Sequence, residues 1–362
     1  MKTSVATSSR ASPEARDPEA KTAEMAIDDL TMRDRLTEYL STEAGDAVQI
    51  EAFERRSPGF SWITYSFTAR DRSDRRRKLI LRVGPTNGLF APYSVLPQVY
   101  ALQSLENSRV PVPRLVSYSQ EGAKIGFPFF VCEHVRGDVA APWLGSGATE
   151  EHRRRIVVQF LDILAELHTI DWERLPLREL LTKVPFGERA ERAPLTAWRA
   201  LVSRPLNRYY PLLDWAGQWL HDNCPMPPRT TIVHGDYRVG NFLEENGNIT
   251  TILDWELTHI GDPHEDLGWA LVPTFNGGSR KLYGVMERNE VIDRYQKKSG
   301  ITLSPRNLAY YEAFAFYQMA AIQICGIHAF EVSRFNDMRM AAMSTQMASI
   351  VRALDKAIEA VA

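Results

Sequence analysis

Residues 233–243 read VHGDYRVGNFL, and residues 253–269 read LDWELTHIGDPHEDLGW. His234, Asp236, Arg238 and Asn241 fall within eight positions, and a second carboxylate, Asp254, follows thirteen residues after Asn241. Apolar runs, TIV before the loop and ITTIL after it, read as strands. If these runs pair as a hairpin, Asp236, Asn241 and Asp254 converge at one end. Two carboxylates and an amide oxygen are hard ligands, suited to Mg2+ and not to zinc. Phosphoryl transfer needs a metal on the phosphates and a carboxylate that orients or deprotonates the attacking hydroxyl. The spacing therefore assigns Asp236 as the expected base and Asn241 and Asp254 as the expected metal ligands.

The whole chain sets the bounds. Its 362 residues suit one large or two medium domains, and an apolar content of 44% is that of a globular protein. A net charge of −2 gives no global field to recruit nucleic acid or an anionic membrane, so neither is an expected partner. Cys132, Cys224 and Cys325 lie far apart and form no metal or disulfide pattern, which fits a reducing cytoplasm. The start of the chain lacks an apolar signal segment. The longest apolar stretch, residues 312–330, carries Glu312, Gln318, Gln323 and His328 and reads as a buried helix, not a membrane span. Nothing in the sequence indicates an oligomeric state.

Along the chain the character changes once. Residues 1–28 have the composition of a disordered tail. A helix is expected over 31–40, then strands over 48–83 in FSWITYSFTA and RKLILRV, with the basic run 70–78 as a solvated hairpin tip. Residues 93–106 suit a helix whose inner face is Val95, Val99, Leu102 and Leu105, with Pro97 near its start. VPVPRLVSYS and FPFFVCEHV return to extended structure, and after residue 138 most of the chain is helical, with Val157, Phe160, Leu161, Leu164 and Leu167 on one stripe. The expected fold class is α+β: a small β-rich N-terminal part over 29–135 and a larger, mainly helical part over 136–362.

HGDYRVGN followed by LDWE resembles the aminoglycoside phosphotransferase-like kinases (the choline kinase type included), distant relatives of protein kinases. GFSWIT, VPVPRL, FFVCEHVRG, LAELHTID and GDPHEDLGW fit the same family in the same order, so the resemblance covers roughly residues 48–362. It implies a two-lobed protein-kinase-like fold with ATP in the cleft and Mg2+ as the metal. Residue by residue, it implies Asp236 as catalytic base, Asn241 and Asp254 as Mg2+ ligands, and His234 as a buttress of the loop. Arg238 would neutralise phosphate charge, and Asp262 and Asp266 would brace the loop. Ser57, Gly59, Ser61 and Thr64 would meet the nucleotide phosphates, and backbone groups from Glu133 to Val135 would meet adenine. The family usually places Lys on the third strand and Glu on the next helix; here Arg82 and Gln98 stand there. Arg82 can still hold α- and β-phosphates, and Gln98 can accept a hydrogen bond from it.

The resemblance implies a hydroxylated small molecule as the acceptor. Between Arg306 and Arg352 the only acids are Glu312, Glu331 and Asp337, among four arginines and many aromatic and methionine residues. That disfavours a polycation, which needs an acidic cleft. Within the family, DWE followed by GDP and DL and by a C-terminal YYE helix most resembles the kinase domains that accompany acyl-CoA dehydrogenases, which implies a hydroxyacyl-CoA. Other readings stay open: an amino alcohol, sugar or aminoglycoside-type antibiotic as acceptor, or a non-catalytic pseudokinase suggested by Arg82 and Gln98. A metal-dependent phosphoesterase could also use His234, Asp236, Asn241, Asp254, His264 and Asp266.

Overall fold

A computed structural model describes residues 28–56, 61–86, 89–140, 147–184, 188–203, 208–331 and 338–361. Residues 1–27 of the expected tail (1–28), Ser57 and Gly59 lie outside the described residues, whereas Asp28 belongs to the fold. Helix α1 (Asp29–Ala44) starts where the Asp28 carboxylate accepts the amides of Leu30 and Thr31, both at 3.0 Å, and stops at Gly45 in the left-handed region. Strands β1 (Gln49–Arg55), β2 (Ile63–Arg70) and β3 (Arg76–Val83) follow. Asp71 ties the β2–β3 tip by accepting from Ser73 and Arg75, so the basic run is a solvated turn.

Helix α2 (Leu96–Leu105) has Pro97 in its first turn and buries Val95, Val99, Leu102 and Leu105. With β4 (Leu115–Ser119) and β5 (Phe129–Glu133) the antiparallel sheet is complete, in the order β1-β2-β3-β5-β4. One face of this sheet buries Tyr65, Leu81 and Phe129 against Leu36 of α1.

The second lobe contains short strands at its floor and helices around them. Strand β6 (Asp138–Val139) crosses to it, followed by α3 (Glu150–Thr169), α4 (Ala193–Val202), α5 (Pro211–Asn223) and β7 (Thr231–Val233). Strands β8 (Phe242–Glu245), β9 (Asn248–Ile252) and β10 (His259–Gly261) precede α6 (His264–Ala270), α7 (Arg288–Ser299), α8 (Pro305–Glu331), α9 (Met338–Ala342) and α10 (Met347–Glu359). The predicted stripe of α3 is buried throughout.

The hairpin expected from the opening stretch forms differently. β7 pairs with β10, through Val233 opposite His259, while β8 pairs with β9 and with β6. The runs on either side of the loop thus belong to two small sheets. The reason is length: β7 has three residues, all buried, and only the equally short β10 satisfies its backbone in the space left by the helices.

Helix α8 is long and apolar enough to cross a membrane by length and composition alone, yet 72% of its most apolar window is buried inside the protein. It is the central helix of the C-terminal core, against α6 and α10. Close contact with α6 is possible because residue 268 is glycine: a Cβ there would lie 2.8 Å from the backbone carbon of Tyr311. Gly268→Ala must push the helices apart, so it should cost about 1–3 kcal/mol, the usual scale for overpacking. Urea unfolding of the two proteins, read by far-UV circular dichroism, measures this.

Candidate active site

The loop from His234 to Asn241 is held from below by one buried carboxylate. Asp266, on α6, accepts the amides of His234 (2.8 Å) and Gly235 (2.9 Å) and faces His168 Nε2 at 3.1 Å. Burial works against its charge, but these hydrogen bonds and His168 outweigh it and hold its pKa below the ordinary value. Gly235 has φ 81°, and a Cβ there would meet the Leu257 carbonyl oxygen at 2.5 Å, so only glycine fits this turn. His234 Nδ1 accepts the Asp236 amide at 3.1 Å, so its Nε2 carries the hydrogen it donates to the Leu253 carbonyl at 2.8 Å. The imidazole is thus a strut between the loop and the residue before Asp254. Asp262 has a similar structural task, capping α6 through His264.

Asp236 is oriented by three donors. Oδ1 accepts from Trp269 Nε1 (2.6 Å) and Arg238 Nε (3.0 Å), and Oδ2 from Asn241 Nδ2 (2.5 Å). A carboxylate offers about four acceptor positions. The vacant one is on Oδ2, on a residue that lines the main cleft. Trp269 was not identifiable as a site residue: a tryptophan ending GDPHEDLGW reads as core, and only the approach of α6 to the loop brings its indole to Asp236. Arg238 also stacks over Phe275, 5.2 Å from the ring centre, so it is fixed in the cleft wall and not a surface ion pair.

Asp254 adopts φ 61°, ψ 54°, a left-handed conformation that Asp tolerates better than most non-glycine residues. It forms an ion pair with Arg82. Burial opposes the charge of Asp254, and Arg82 more than compensates, holding its pKa below the ordinary value. Among the described residues Arg82 is bonded to Asp254 and no bond to Gln98 is formed, and Arg82 Nε is buried without a partner. A carboxylate outcompetes an amide for a guanidinium because the bond is charge-assisted on both sides.

Asn241 and Asp254 were tested as an Mg2+ site by their donor chemistry. Asn241 directs its amide nitrogen to the Asp236 carbonyl (2.9 Å) and carboxylate, and its Oδ1 takes no donor from the described residues. Asp254 keeps about a third of its side chain exposed in the cleft (35%). One amide oxygen and one carboxylate suit an ion that completes its shell with water and phosphate oxygens. The donor set fits, although Asn241 lies one layer behind the cleft wall.

Glu256, two residues after Asp254, carries a feature that the sequence reading did not assign. It accepts Ser61 Oγ at 3.0 Å and Trp62 Nε1 at 2.6 Å, clasping the end of the predicted nucleotide loop. Ser61 is therefore engaged by a carboxylate here. Thr64, on β2 opposite Arg82, lines the cleft. At the adenine end, Glu133 bonds Arg77 at 3.1 Å, His134 donates its amide to Lys78, and Val135 lines the cleft. The cleft has a volume of about 970 Å3 and runs from Val135 past Asp254 and Asp236 to Phe90, Met319 and Gln323. Among the described residues, no three His, Cys, Asp or Glu side chains gather as a metal cluster. The phosphoesterase set is dispersed: His264 and Asp266 are buried in separate hydrogen-bond networks.

An antiparallel sheet, a hinge strand and a helical lobe enclosing this cleft define a kinase-like phosphotransferase fold. The profile of the Phosphotransferase enzyme family (APH) matches residues 60–311, most of the chain, and the chain belongs to that family. Acyl-CoA dehydrogenase family member 10 of Mus musculus is 26% identical over 314 residues, 82% of this chain and 28% of that protein. Acyl-CoA dehydrogenase family member 11 of Rattus norvegicus is 27% identical over 257 residues, 67% of this chain and 32% of that protein. The chain thus spans about a third of the length of these relatives. Among solved structures, a Ralstonia eutropha protein assigned to the aminoglycoside phosphotransferases superposes with a TM-score of 0.69 at 18% identity, over 90% of this chain and 98% of that one. Choline kinase LicA from Streptococcus pneumoniae gives 0.60 at 14% identity, over 90% and 99%. These likenesses establish the fold.

The clasp has a pH signature. Burial first, and then the neighbouring Asp254 charge, raise the Glu256 pKa from 4.5 to about 7. The folded state therefore binds an extra proton between those values, and stability falls as pH rises through that window. Glu256→Gln removes this dependence. Its melting temperature relative to the parent should climb from pH 5 to pH 8 and then level off, a differential on the order of 1–3 kcal/mol. A differential scanning fluorimetry series across pH, with no nucleotide added, measures it.

Proposed function

We propose that this protein is an ATP- and Mg2+-dependent kinase that phosphorylates a hydroxyl group of a hydroxyacyl-CoA. The observation that carries this reading is Asp236 in a cleft whose lining combines the polar Arg82 and Asp254 with the apolar Phe90 and Met319, its Oδ2 taking a single donor among the described residues. Asp236 accepts the proton of the acceptor hydroxyl as its oxygen bonds to the γ-phosphorus, and the bond from that phosphorus to the bridging oxygen of ADP breaks. Trp269, Arg238 and Asn241 hold the base so that proton transfer needs no side-chain search. Asp254 and Asn241 hold Mg2+, which when bound neutralises phosphate charge. Arg82 exchanges its bond to Asp254 for the nucleotide phosphates.

ATP use is supported by a fold neighbour, aminoglycoside phosphotransferase APH(4)-Ia, solved with ADP and hygromycin B, with a TM-score of 0.52. The acyl-CoA choice is supported by the chemistry of the acceptor end. Phe90, Met319, Ile322 and Met343 in the cleft lining carry no charge, so a polycationic antibiotic seated against them would leave ammonium groups without a counter-charge. Similarity to the two acyl-CoA dehydrogenase family members points the same way.

A screen of ATP consumption with hydroxyacyl-CoAs, free hydroxy acids and aminoglycosides, with products identified by mass spectrometry, tests the acceptor. Phosphorylated acyl-CoA is the expected product; turnover confined to aminoglycosides overturns the reading. Asp236→Asn should lower turnover about 10²–10⁴-fold and leave ATP affinity within a few-fold; calorimetric titration separates the two effects. Asp254→Ala should abolish turnover and the Mg2+ dependence of nucleotide binding. Equal Mg2+ dependence in the variant would show that the ion sits elsewhere.

A further inference from the structure

The apolar end of the cleft contains one polar group that the fold does not use. Gln323 lies on α8, one turn after Met319, and both line the cleft. Its side chain is buried, at 8% exposure. One end of the amide is anchored, with Nε2 donating to Gln346 Oε1 at 3.2 Å. The other end, Oε1, is buried and accepts from no donor among the described residues. The surrounding wall is made of Phe90, Met319, Ile322 and Met343. A buried amide oxygen without a donor costs free energy that a leucine or methionine here would not. Gln318, five residues earlier, shows the contrast: its amide is used internally, bonding the Gly235 carbonyl at 3.3 Å.

We propose that Gln323 is an acceptor-specificity residue whose Oε1 receives a hydrogen bond from a neutral N–H or O–H group of the acceptor, other than the hydroxyl that faces Asp236. The reacting hydroxyl cannot serve, because its single proton is directed to Asp236. A cation is a poor partner, because an amide oxygen in an apolar wall does not neutralise it. The chemistry that matches is an acceptor with an apolar segment, one reacting hydroxyl and a secondary amide nearby. An acyl thioester on a pantetheine arm has these parts, whereas a free hydroxy acid lacks the amide. This assignment rests on the acyl-thioester reading above and narrows it to the arm.

The test uses two minimal acceptors with the same hydroxyacyl group: the N-acetylcysteamine thioester, which keeps one amide N–H, and the S-ethyl thioester, which has none. The unmodified protein should prefer the first by about tenfold in kcat/KM, the scale of one buried hydrogen bond. In Gln323→Met the preference should fall to near unity, with KM for ATP unchanged. The melting temperature of Gln323→Met should stay level or rise, because an unpartnered amide has been removed; a merely structural glutamine predicts a fall. Gln346→Met, which removes only the anchor, should retain part of the preference. An unchanged preference in Gln323→Met, or a lowered melting temperature, overturns the assignment while leaving the acyl-thioester reading intact. Failure of the unmodified protein to phosphorylate either thioester or any hydroxyacyl-CoA overturns both.

Discussion

The catalytic-loop geometry depends on a carboxylate that never meets solvent. Asp266 takes two consecutive backbone N–H groups, from His234 and Gly235, and one imidazole. Those amides point inward only because Gly235 has a positive φ, and that turn directs Asp236 outward into the cleft. A buried carboxylate is tolerable only when its partners are complete, so the loop, α6 and His168 of α3 are locked to one another. His234 extends the lock to the carbonyl before Asp254. Asp236 and Asp254 are thus two ends of one hydrogen-bonded unit.

Charge around Asp254 is balanced within the protein. Arg82 reaches from the sheet to Asp254, and Glu256 reaches back to Ser61 and Trp62. Two bridges of opposite direction therefore connect the sheet lobe to the turn 254–256. Arginine suits this arrangement because its fork can bond a carboxylate and later a phosphate without losing charge. Glutamine at residue 98 then makes sense: a glutamate there would compete with Asp254 for the same cation. In the proposed reaction, nucleotide and metal replace Arg82 and Asp254 as each other's partners, so the resting site carries little uncompensated charge.

The far end of the cleft follows a different logic. Helix α8 is buried along most of its length, and where it lines the cleft it presents Met319, Ile322 and Gln323. Shape and desolvation dominate recognition in such a wall, and a single amide can impose a large preference because water is excluded from competing with it. The same helix supplies Tyr311, against which Gly268 packs, so the acceptor wall and the loop brace share one rigid element.

Much of this was legible in the linear sequence. The strands, the two amphipathic helices and the mostly buried run 312–330 follow from local periodicity, and the bond between Asp236 and Asn241 from a short spacing, because those signals lie within one element or one loop; the hairpin on which their convergence with Asp254 was expected does not form. Other features involve partners far apart in sequence and had no local signal. Trp269 reaches Asp236 across 33 positions, Glu256 reaches Trp62 across 194, and Arg82 reaches Asp254 across 172. The pairing of β7 with β10, in place of the expected hairpin, belongs to the same group. Composition and spacing determine which residue types can do chemistry and which faces must be buried. Only the packed chain decides which carboxylate takes the arginine and which buried amide is left without a partner, because those are competitions among groups that meet only after the lobes have closed on each other.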